Sequence, residues 1–405
     1  MGILVQKFGG TSVASAEKMS EVCSIIEKYK KEGNDLVVVV SAMGRKGEPY
    51  ATDTLINLCT NANKKPKKRE LDLIMSCGEI ISGTILSSML EARGISSIFL
   101  TGMQAGIITT KVYSNSKIKE IDSTRIQQEL AEGKVVVIAG FQGCTEDGEV
   151  TTLGRGGSDT SAVAIGKALG SKTVQIYTDV DGIMTADPRI EPTAKILDNC
   201  DYEEVFQMAK KGAKVIHPRA VELAKKGDIV LEIKNTLNPT CKGTHIGLTR
   251  GIENDYESFQ FRFMTSVAHK DNIAQVKVKS SEELLWKILN EMEEKHINLD
   301  MINFFTEEKV FAMEQNSIYV VEEILQKYDV EYDIKKHCAK VTLIGSKVIE
   351  TPGVIAKVVR VLSNEGITIL QSSNSDACLT CLVKEDDMIN AVHAIHNEFA
   401  DQIVN

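Results

Sequence analysis

Short apolar runs alternate with amphipathic patterns of helical period through the first 235 residues of the chain. The runs cover residues 3–5, 36–40, 98–100, 135–139 and 174–177, and valine and isoleucine dominate them. Such runs are typical of strands that are buried on both faces of a parallel sheet. Their alternation with helices predicts an α/β fold, in which a mainly parallel sheet is covered by helices on both faces.

Both patterns stop between residues 235 and 262, where Asn238-Pro239 and a series of glycines interrupt any longer periodic segment. We place a domain boundary in this stretch. The expected domains are residues 1–250, 263–334 and 335–405. As an alternative, the C-terminal segment completes the fold of the second domain.

The chain beyond this boundary contains a weak internal repeat. The sequence AQVKV at residues 274–278 resembles AKVTL at 339–343, and INLDM at 297–301 resembles ITILQ at 367–371. Each copy has the pattern of a strand, a helix and further strands, which predicts two small α/β sandwiches. The second copy has extra residues around Pro352-Gly353, and such a turn before a helix can present N–H groups to a carboxylate.

Composition excludes several classes of protein. A net charge of −9 disfavours nucleic-acid binding, which requires a basic surface. Nine cysteines without disulfide spacing, and no signal peptide or apolar run of membrane length, favour a cytoplasmic protein with no membrane contact. We interpret the CxxC pair Cys378 and Cys381 as structural, and His393 and His396 as part of a helix surface.

The run GRGGSDTSA at residues 154–162 follows a strand pattern and begins a helical one. Its glycines can turn N–H groups toward an anion, and Arg155 can grip a carboxylate or phosphate. Ser158 and Asp159 are expected to cap the helix. Alone, this stretch is equally consistent with a tight turn.

Two further polar loops follow predicted strands. The first, KFGGTS at residues 7–12, places Lys7 before the glycines, so it is not a P-loop, but Lys7 could still neutralise a transferring phosphoryl group. The second, YTDVDGIMTADPR at 177–189, is rich in carboxylates. Because ligands bind beyond the carboxyl ends of parallel strands, we expect the three loops to line one crevice suited to phosphoryl transfer.

Five ordered motifs together resemble aspartokinases: KFGGTS, SCGE at residues 76–79, GRGGSDTSA, YTDVDGIMTADPR and GAKVIHPRA at 212–220. The resemblance covers nearly the whole chain and implies an amino acid kinase fold followed by two ferredoxin-like ACT domains. It implies a monofunctional enzyme that transfers the γ-phosphoryl group of ATP to the side-chain carboxylate of L-aspartate. The product, 4-phospho-L-aspartate, begins lysine, threonine, methionine and diaminopimelate synthesis.

The resemblance also implies roles for individual residues. Lys7, Arg155 and Asp159 would be catalytic, with Arg155 on the α-carboxylate of aspartate, and Glu79 and Asp159 facing its α-ammonium. Either Thr52, our choice, or Thr54 would face the substrate, because the preceding stretch is longer than in many relatives. The full set predicted to bind the substrate is Thr52, Glu79, Arg155, Gly156, Gly157, Ser158 and Asp159.

The implied cofactors are ATP and Mg²⁺, and no side chain is predicted to be a direct metal ligand. Thr178 and Asp179 would border the nucleoside, whereas Asp187, Arg189 and Lys214 would reach the ribose or phosphates. The residues predicted to bind the nucleotide are Lys7, Phe8, Gly9, Gly10, Ser41, Ser158, Thr178, Asp179, Met184, Asp187, Arg189 and Lys214.

The ACT resemblance implies feedback regulation by lysine, threonine or diaminopimelate, and a homodimer or larger homo-oligomer. The first repeat has SSEE at residues 280–283 where effector-binding ACT domains commonly have Asp-x-Pro-Gly, which puts an effector site there in doubt. Two other functions stay open: a related kinase that uses another acceptor, such as glutamate or acetylglutamate, and a catalytically silent amino-acid sensor.

Overall fold

A computed structural model of the protein describes residues 2–213, 215–247, 264–345, 348 and 350–400. The chain forms two compact units. The first contains the described residues within 1–183, 196–209 and 214–252, and the second contains those within 184–195, 210–213 and 253–405. The second unit therefore includes two short segments whose neighbours in sequence belong to the first.

The first unit is built on an eight-stranded sheet whose strand order is β10-β12-β11-β9-β1-β2-β6-β3. Its pairs are parallel except β11 with β12, which confirms the predicted mainly parallel α/β fold. All five predicted strands are present. The strands of this sheet are β1 (Ile3–Phe8), β2 (Asp35–Val40), β3 (Ser97–Leu100), β6 (Val135–Ala139), β9 (Thr173–Thr178), β10 (Asn199–Cys200), β11 (Val230–Asn235) and β12 (Thr244–Ile246).

Helices of the first unit pack on both faces of this sheet. They are α1 (Ala16–Lys31), α2 (Thr52–Ala62), α3 (Lys68–Ala92), α4 (Thr124–Ala131), α5 (Gly157–Ala168), α6 (Tyr202–Lys211) and α7 (Pro218–Gly227). Leu36, Val38 and Val40 of β2 join α1 and α3 in one core cluster. Because side chains alternate along a strand, Val37 and Val39 face the other side, where α5 contacts β1, β2 and β9.

Helix α3 is, among the described helices, the one that is long and apolar enough to cross a membrane by length and composition. The sequence was expected to contain no such run. Here Leu86 and Leu90 of α3 lie in the core cluster, and the helix also buries the carboxylates of Asp72 and Glu79. Burial against the sheet accounts for its apolar composition.

A smaller sheet in the first unit supports the loop before α5. Its strand order is β5-β4-β7-β8, with β4 (Ile107–Thr109), β5 (Ile118–Ile121), β7 (Gln142–Cys144) and β8 (Val150–Thr152). Asp72 of α3 is fully buried beside it and accepts hydrogen bonds from the backbone N–H groups of Ser114 and Thr152 at 2.9 and 2.8 Å. Their hydroxyl groups donate to the same carboxylate. Asp72 thus fixes β8 two residues before the GRGG sequence.

The second unit contains one antiparallel sheet with strand order β14-β15-β13-β16-β18-β17. The strands are β13 (Ser266–Lys279), β14 (Leu299–Phe304), β15 (Lys309–Glu314), β16 (Glu331–Ile344), β17 (Gln371–Ser375) and β18 (Cys378–Lys384), and the helices are α8 (Glu282–Glu294), α9 (Ile318–Lys327), α10 (Val354–Asn364) and α11 (Met388–Phe399). Both repeats therefore have the predicted strand, helix, strand, strand order, as ferredoxin-like folds do.

The two long strands β13 and β16 serve both repeats. Residues 273–279 of β13 pair with 331–338 of β16 and pack against α8 and α9. Residues 266–270 pair with 340–344, on the half of β13 and β16 that belongs to the second repeat. We propose that residues 266–270 belong to the fold of the second repeat, while the boundary at residues 334–335 remains a prediction.

Helix α11 is more buried than its sequence suggested. His396 is 3% exposed, and its Nε2 lies 2.9 Å from the hydroxyl of Thr185, so the expected surface position is wrong for this residue. His393 lies 2.6 Å from the Glu191 carboxylate. His396 is buried because the segment 184–195 covers this side of α11. Helical periodicity in the sequence does not predict such a tertiary contact. Cys378 and Cys381 are both buried in β18.

Asp72→Ala should lower the free energy of unfolding by about 3 kcal/mol, because it leaves two buried N–H groups without acceptors. Urea denaturation followed by circular dichroism measures this loss. Asp35→Ala, at an exposed position of the same unit, is the control and should change the free energy by less than about 0.5 kcal/mol. Equal effects of the two substitutions would contradict the role of Asp72.

Candidate active site

Three loops of the first unit follow neighbouring parallel strands of the main sheet. β1 lies between β2 and β9, so the chain leaves all three strands at one edge of the sheet. The N–H group of Ser41 donates to the carbonyl of Phe8 at 3.1 Å, and that of Gly9 donates to the carbonyl of Tyr177 at 3.2 Å. These bonds bring the loops after β1, β2 and β9 together. Two of them, KFGGTS and YTDVDGIMTADPR, were predicted to share a crevice, whereas the third predicted loop, GRGGSDTSA, follows β8 of the smaller sheet and meets β1 through the ion pair between Lys7 and Asp159.

The glycine loop after β1 approaches its neighbour through backbone atoms. A Cβ atom on Gly10 would lie 2.7 Å from the carbonyl oxygen of Ala42, so a side chain does not fit there. Helix α1 begins only at Ala16, after the N-cap Ser15, and the glycines therefore form a separate turn. The Phe8 ring stacks on Tyr177 in the core, with ring centroids 4.7 Å apart.

Lys7 and Asp159 form an ion pair with a distance of 2.7 Å between the Lys7 Nζ and the Asp159 Oδ1. Lys7 lies on β1 and Asp159 in the first turn of α5, and each side chain is only 12% exposed. The sequence indicated both residues but not their contact. The pair holds the ammonium of Lys7 next to the glycine loop, since Nζ lies 3.5 Å from the position of a Cβ on Gly9.

The N-terminus of α5 differs from the predicted capping. The N-cap is Gly156, in the left-handed region at φ 68°, and Ser158 and Asp159 lie inside the first turn, so their assignment as caps is wrong. A Cβ on Gly156 would lie 2.1 Å from Cγ of His217, which explains why glycine occupies this position. Arg155 is exposed next to this turn and has no hydrogen-bond or ion-pair partner among the described residues.

Two residues of the GAKVIHPRA motif line the same end of α5 and were not selected from the sequence. Nδ1 of His217 accepts the N–H of Arg219 at 3.3 Å, which caps α7. Burial lowers the pKa of His217, and the nearby charge of Asp159 raises it by a smaller amount. The guanidinium of Arg219 donates to the carbonyl of Leu153 at 3.0 Å and to Asn115 at 2.8 Å. The GAKVIHPRA motif was the sequence signal that could have identified both residues.

Glu79 is a buried carboxylate whose charge is only partly satisfied. It is 2% exposed, and its Oε1 accepts the N–H of Ala42 at 3.0 Å. Its Oε2 is buried without a hydrogen-bond partner among the described residues. Burial raises the pKa of Glu79 from the ordinary 4.5 to about 8. A ligand cation is the group that would satisfy this oxygen.

Helix α2 packs against α3, and a Cβ on Gly78, the residue before Glu79, would lie 3.2 Å from the carbonyl oxygen of Tyr50. Its first residue is Thr52, and its N-cap, Ala51, makes no side-chain capping bond. The hydroxyl of Thr54 is buried and has no partner among the described residues. Both threonines lie in the first turn, so the choice between Thr52 and Thr54 remains a prediction.

The loop after β9 carries Thr178 and Asp179 at the end of the strand, as predicted. The hydroxyl of Thr178 donates to Asp179 at 3.3 Å, and Arg45, from the loop after β2, forms an ion pair with the same carboxylate. The ion pair between Arg45 and Asp179 thus joins the loop after β2 to the loop after β9. No sequence feature indicated Arg45.

Some of the residues predicted to bind the nucleotide lie outside the first unit. Met184, Asp187 and Arg189 lie in the segment 184–195, which is part of the second unit. The Arg189 guanidinium binds Asp187 at 2.6 Å and helps to lower the pKa of that carboxyl, and the carbonyl of Met184 accepts from Ser266 at 3.4 Å. Lys214 lies outside the described residues. The roles of these four residues therefore stay predictions.

Comparison with known proteins gives a consistent picture. Residues 2–235 match the amino acid kinase family, and residues 333–397 match the ACT domain family. Aspartokinase 1 of Bacillus subtilis is 41% identical over 98% of this chain and 99% of its own length. Aspartokinase of Geobacillus stearothermophilus is 39% identical, over 98% of this chain and 97% of its own.

Solved structures share the fold. Escherichia coli aspartokinase III, crystallised with aspartate and ADP, superposes with a TM-score of 0.81 at 23% identity, covering 98% of this chain and 100% of that one. Aspartate kinase from Synechocystis is 33% identical, with a TM-score of 0.54 over 98% of this chain and 70% of its own. The full-length similarity includes both units described above.

Glu79→Gln should raise the melting temperature by about 3 °C or more at pH 8, because it removes a carboxylate that ionises less readily in the folded protein than in the unfolded one. In the unaltered protein, ionisation of Glu79 lowers the free energy of unfolding as the pH rises from 4.5, the ordinary pKa of the group, toward 8, its pKa in the folded protein. Below pH 4.5 this loss of stability is absent. Thermal melts from pH 4 to 9 measure it. A melting-temperature difference that does not vary with pH would contradict the raised pKa.

Proposed function

The chain belongs to the aspartokinase family, and on this basis we propose how its residues divide the work of phosphoryl transfer. It is an aspartate kinase: ATP phosphorylates the side-chain carboxylate of L-aspartate, and the product is 4-phospho-L-aspartate. This reaction opens the synthesis of lysine, threonine and methionine. The observation that carries the assignment of residues is the ion pair between Lys7 and Asp159 beside the glycine loop.

Lys7 is the residue that stabilises the transferring phosphoryl group. Its ammonium is fixed by Asp159 and lies next to Gly9, so the cation is already oriented before substrates bind. An ionised carboxylate is itself the nucleophile, and a general base is not required. Alignment of the two substrates and neutralisation of charge therefore dominate the rate.

The amino-acid substrate binds between Glu79 and the N-terminus of α5. Its α-ammonium pairs with the unsatisfied oxygen of Glu79 and faces Asp159, which also holds Lys7. Its α-carboxylate pairs with Arg155 and the N–H groups that follow Gly156. A buried anion and an exposed cation suit the opposite charges of a zwitterion. Thr52, or alternatively Thr54, completes this end of the site.

The nucleotide lies over the glycine loop, with its phosphates near Gly9 and Gly10 and its nucleoside near Thr178 and Asp179. Mg²⁺ bound with the phosphates supplies further positive charge. The close backbone approach at Gly10 holds the glycine loop against the loop after β2, which carries Ser41. The remaining proposed contacts are Phe8 through its backbone, Ser41, Ser158, Met184, Asp187, Arg189 and Lys214.

A hydroxamate assay with ATP, Mg²⁺ and either aspartate, glutamate or acetylglutamate tests this function. We expect turnover with aspartate, because Glu79 and Arg155 together match a free amino acid. Turnover with another acceptor alone would favour a related kinase. No turnover with any acceptor would favour the amino-acid sensor.

Substitutions in the same assay separate the two ends of the site. Lys7→Ala should lower kcat by about 100-fold or more with a smaller change in KM. Arg155→Ala should instead raise the KM for aspartate about tenfold. The control is Arg125→Ala, an exposed arginine of α4. An unchanged KM for aspartate in Arg155→Ala would contradict the carboxylate assignment.

The second unit binds an amino-acid effector, which is lysine, threonine or diaminopimelate. Support comes from the two ferredoxin-like repeats and from the loop Thr351-Pro352-Gly353, where Gly353 caps α10 in the left-handed region at φ 88°. The corresponding helix α8 is capped by Ser281, whose hydroxyl accepts the N–H of Leu284 at 3.4 Å. The second repeat is therefore the better candidate for the effector.

The protein is a cytoplasmic homodimer or larger homo-oligomer in this proposal. Large apolar side chains remain exposed on the first repeat of the second unit, where burial against another copy would remove them from water. They include Trp286, Phe304, Phe305 and Tyr319.

A thermal-shift titration tests the regulatory proposal. The effector should raise the melting temperature, because it binds the folded protein in preference to the unfolded chain. Lysine, threonine and diaminopimelate are compared with glycine as the control. A shift with none of the three would contradict an effector site, whereas the kinase assay would be unaffected.

A further inference from the structure

Arg45 bridges two of the loops at the proposed nucleotide site. It lies in the exposed stretch between β2 and α2, and its guanidinium forms an ion pair with the carboxylate of Asp179 after β9. Its side chain is 69% exposed and that of Asp179 is 40% exposed. Exposed ion pairs contribute little to stability, so this contact can exchange for a stronger one.

The position of this ion pair relative to the glycine loop is fixed by backbone contacts. On one side, the N–H of Gly44 donates to the carbonyl of Gly10 at 3.0 Å, so Arg45 follows a residue attached to the loop. On the other side, Gly9 donates to the carbonyl of Tyr177, two residues before Asp179. The guanidinium and its carboxylate partner thus come from chain segments that flank Gly9 and Gly10.

The Arg45 backbone is held by a turn, whereas its side chain is exposed apart from its ion pair with Asp179. Glu48 accepts the N–H of Arg45 at 2.6 Å, and the N–H of Glu48 donates to the carbonyl of Arg45 at 2.9 Å. A tight turn therefore fixes the base of the side chain. The guanidinium contacts only one exposed carboxylate among the described residues.

The charges near the glycine loop leave a role for this arginine. Lys7 is already paired with Asp159, and Arg155 is assigned to the amino-acid substrate. Even together with Mg²⁺, ATP carries a net negative charge that Lys7 alone does not offset, and a guanidinium can form two parallel hydrogen bonds with phosphate oxygens.

We propose that Arg45 is a nucleotide-binding residue that leaves Asp179 when ATP binds and donates hydrogen bonds to the γ-phosphoryl group. This inference rests on the proposed function. Release of Arg45 frees the Asp179 carboxylate to accept hydrogen bonds from the nucleoside. Arg45 therefore distinguishes a triphosphate from a diphosphate.

Calorimetric titration of the full chain with the imido analogue of ATP and with ADP, each with Mg²⁺, tests the proposal. Arg45→Ala should weaken binding of the ATP analogue about tenfold and that of ADP less than about twofold, because only the former has the third phosphate. Arg45→Lys should give an intermediate loss, since one ammonium replaces a bidentate group. Arg125→Ala is the matched control for an exposed arginine.

Equal losses for both nucleotides, or no loss, would overturn the proposal for Arg45. If the selective loss occurs but aspartate is not phosphorylated, the acceptor assignment fails and the role of Arg45 stands. If the unaltered protein binds neither nucleotide, both proposals fail.

Discussion

The ion pair between Lys7 and Asp159 connects the central strand of the main sheet to the first turn of α5. Lys7 can reach this carboxylate because odd-numbered residues of β1 face the side of the sheet on which α5 packs. The contact therefore depends on the register of β1 and on the place where α5 begins. Gly156 sets that start, since its left-handed conformation turns the chain into the helix directly beside the sheet. Because both side chains are largely removed from water, each charge needs the other.

A second constraint is the buried carboxylate of Glu79. Its position on α3 is set by the apolar contacts of Leu86 and Leu90, not by its own hydrogen bonds. The fold thus holds a carboxyl group whose only described side-chain hydrogen bond is from the N–H of Ala42, and burial raises the pKa of this group. A buried oxygen without a hydrogen-bond partner lowers the stability of the free protein, and a bound cation would supply the missing partner. This behaviour is expected of a ligand-binding residue rather than of a structural one.

Much of the fold could be predicted from hydrophobic patterns, because strands buried on both faces give continuous apolar runs. The proximity of the loops after β1 and β9 also followed from the rule for parallel sheets, whereas the GRGGSDTSA loop follows β8 of the smaller sheet, to which that rule does not apply. Side-chain partners could not be predicted in the same way. The caps of α5 were assigned wrongly because Ser158 and Asp159 are good caps in isolation, and only the ring of His217 shows why Gly156 must take that position. The burial of His396 likewise depends on Thr185, a residue distant in sequence.

The segment 184–195 shows how one sequence motif can serve both units. YTDVDGIMTADPR begins at the end of β9, yet from Met184 onward its residues belong to the second unit. There the carbonyl of Thr185 accepts the N–H of Val267 at 2.8 Å, and Glu191 binds His393 of α11. Burial raises the pKa of Glu191, but its hydrogen bonds outweigh burial and lower it to about 2. The carboxylate therefore stays ionised at physiological pH. Segment 184–195 therefore packs against α11 within its own unit, although its chain continues directly from the β9 loop that carries Asp179.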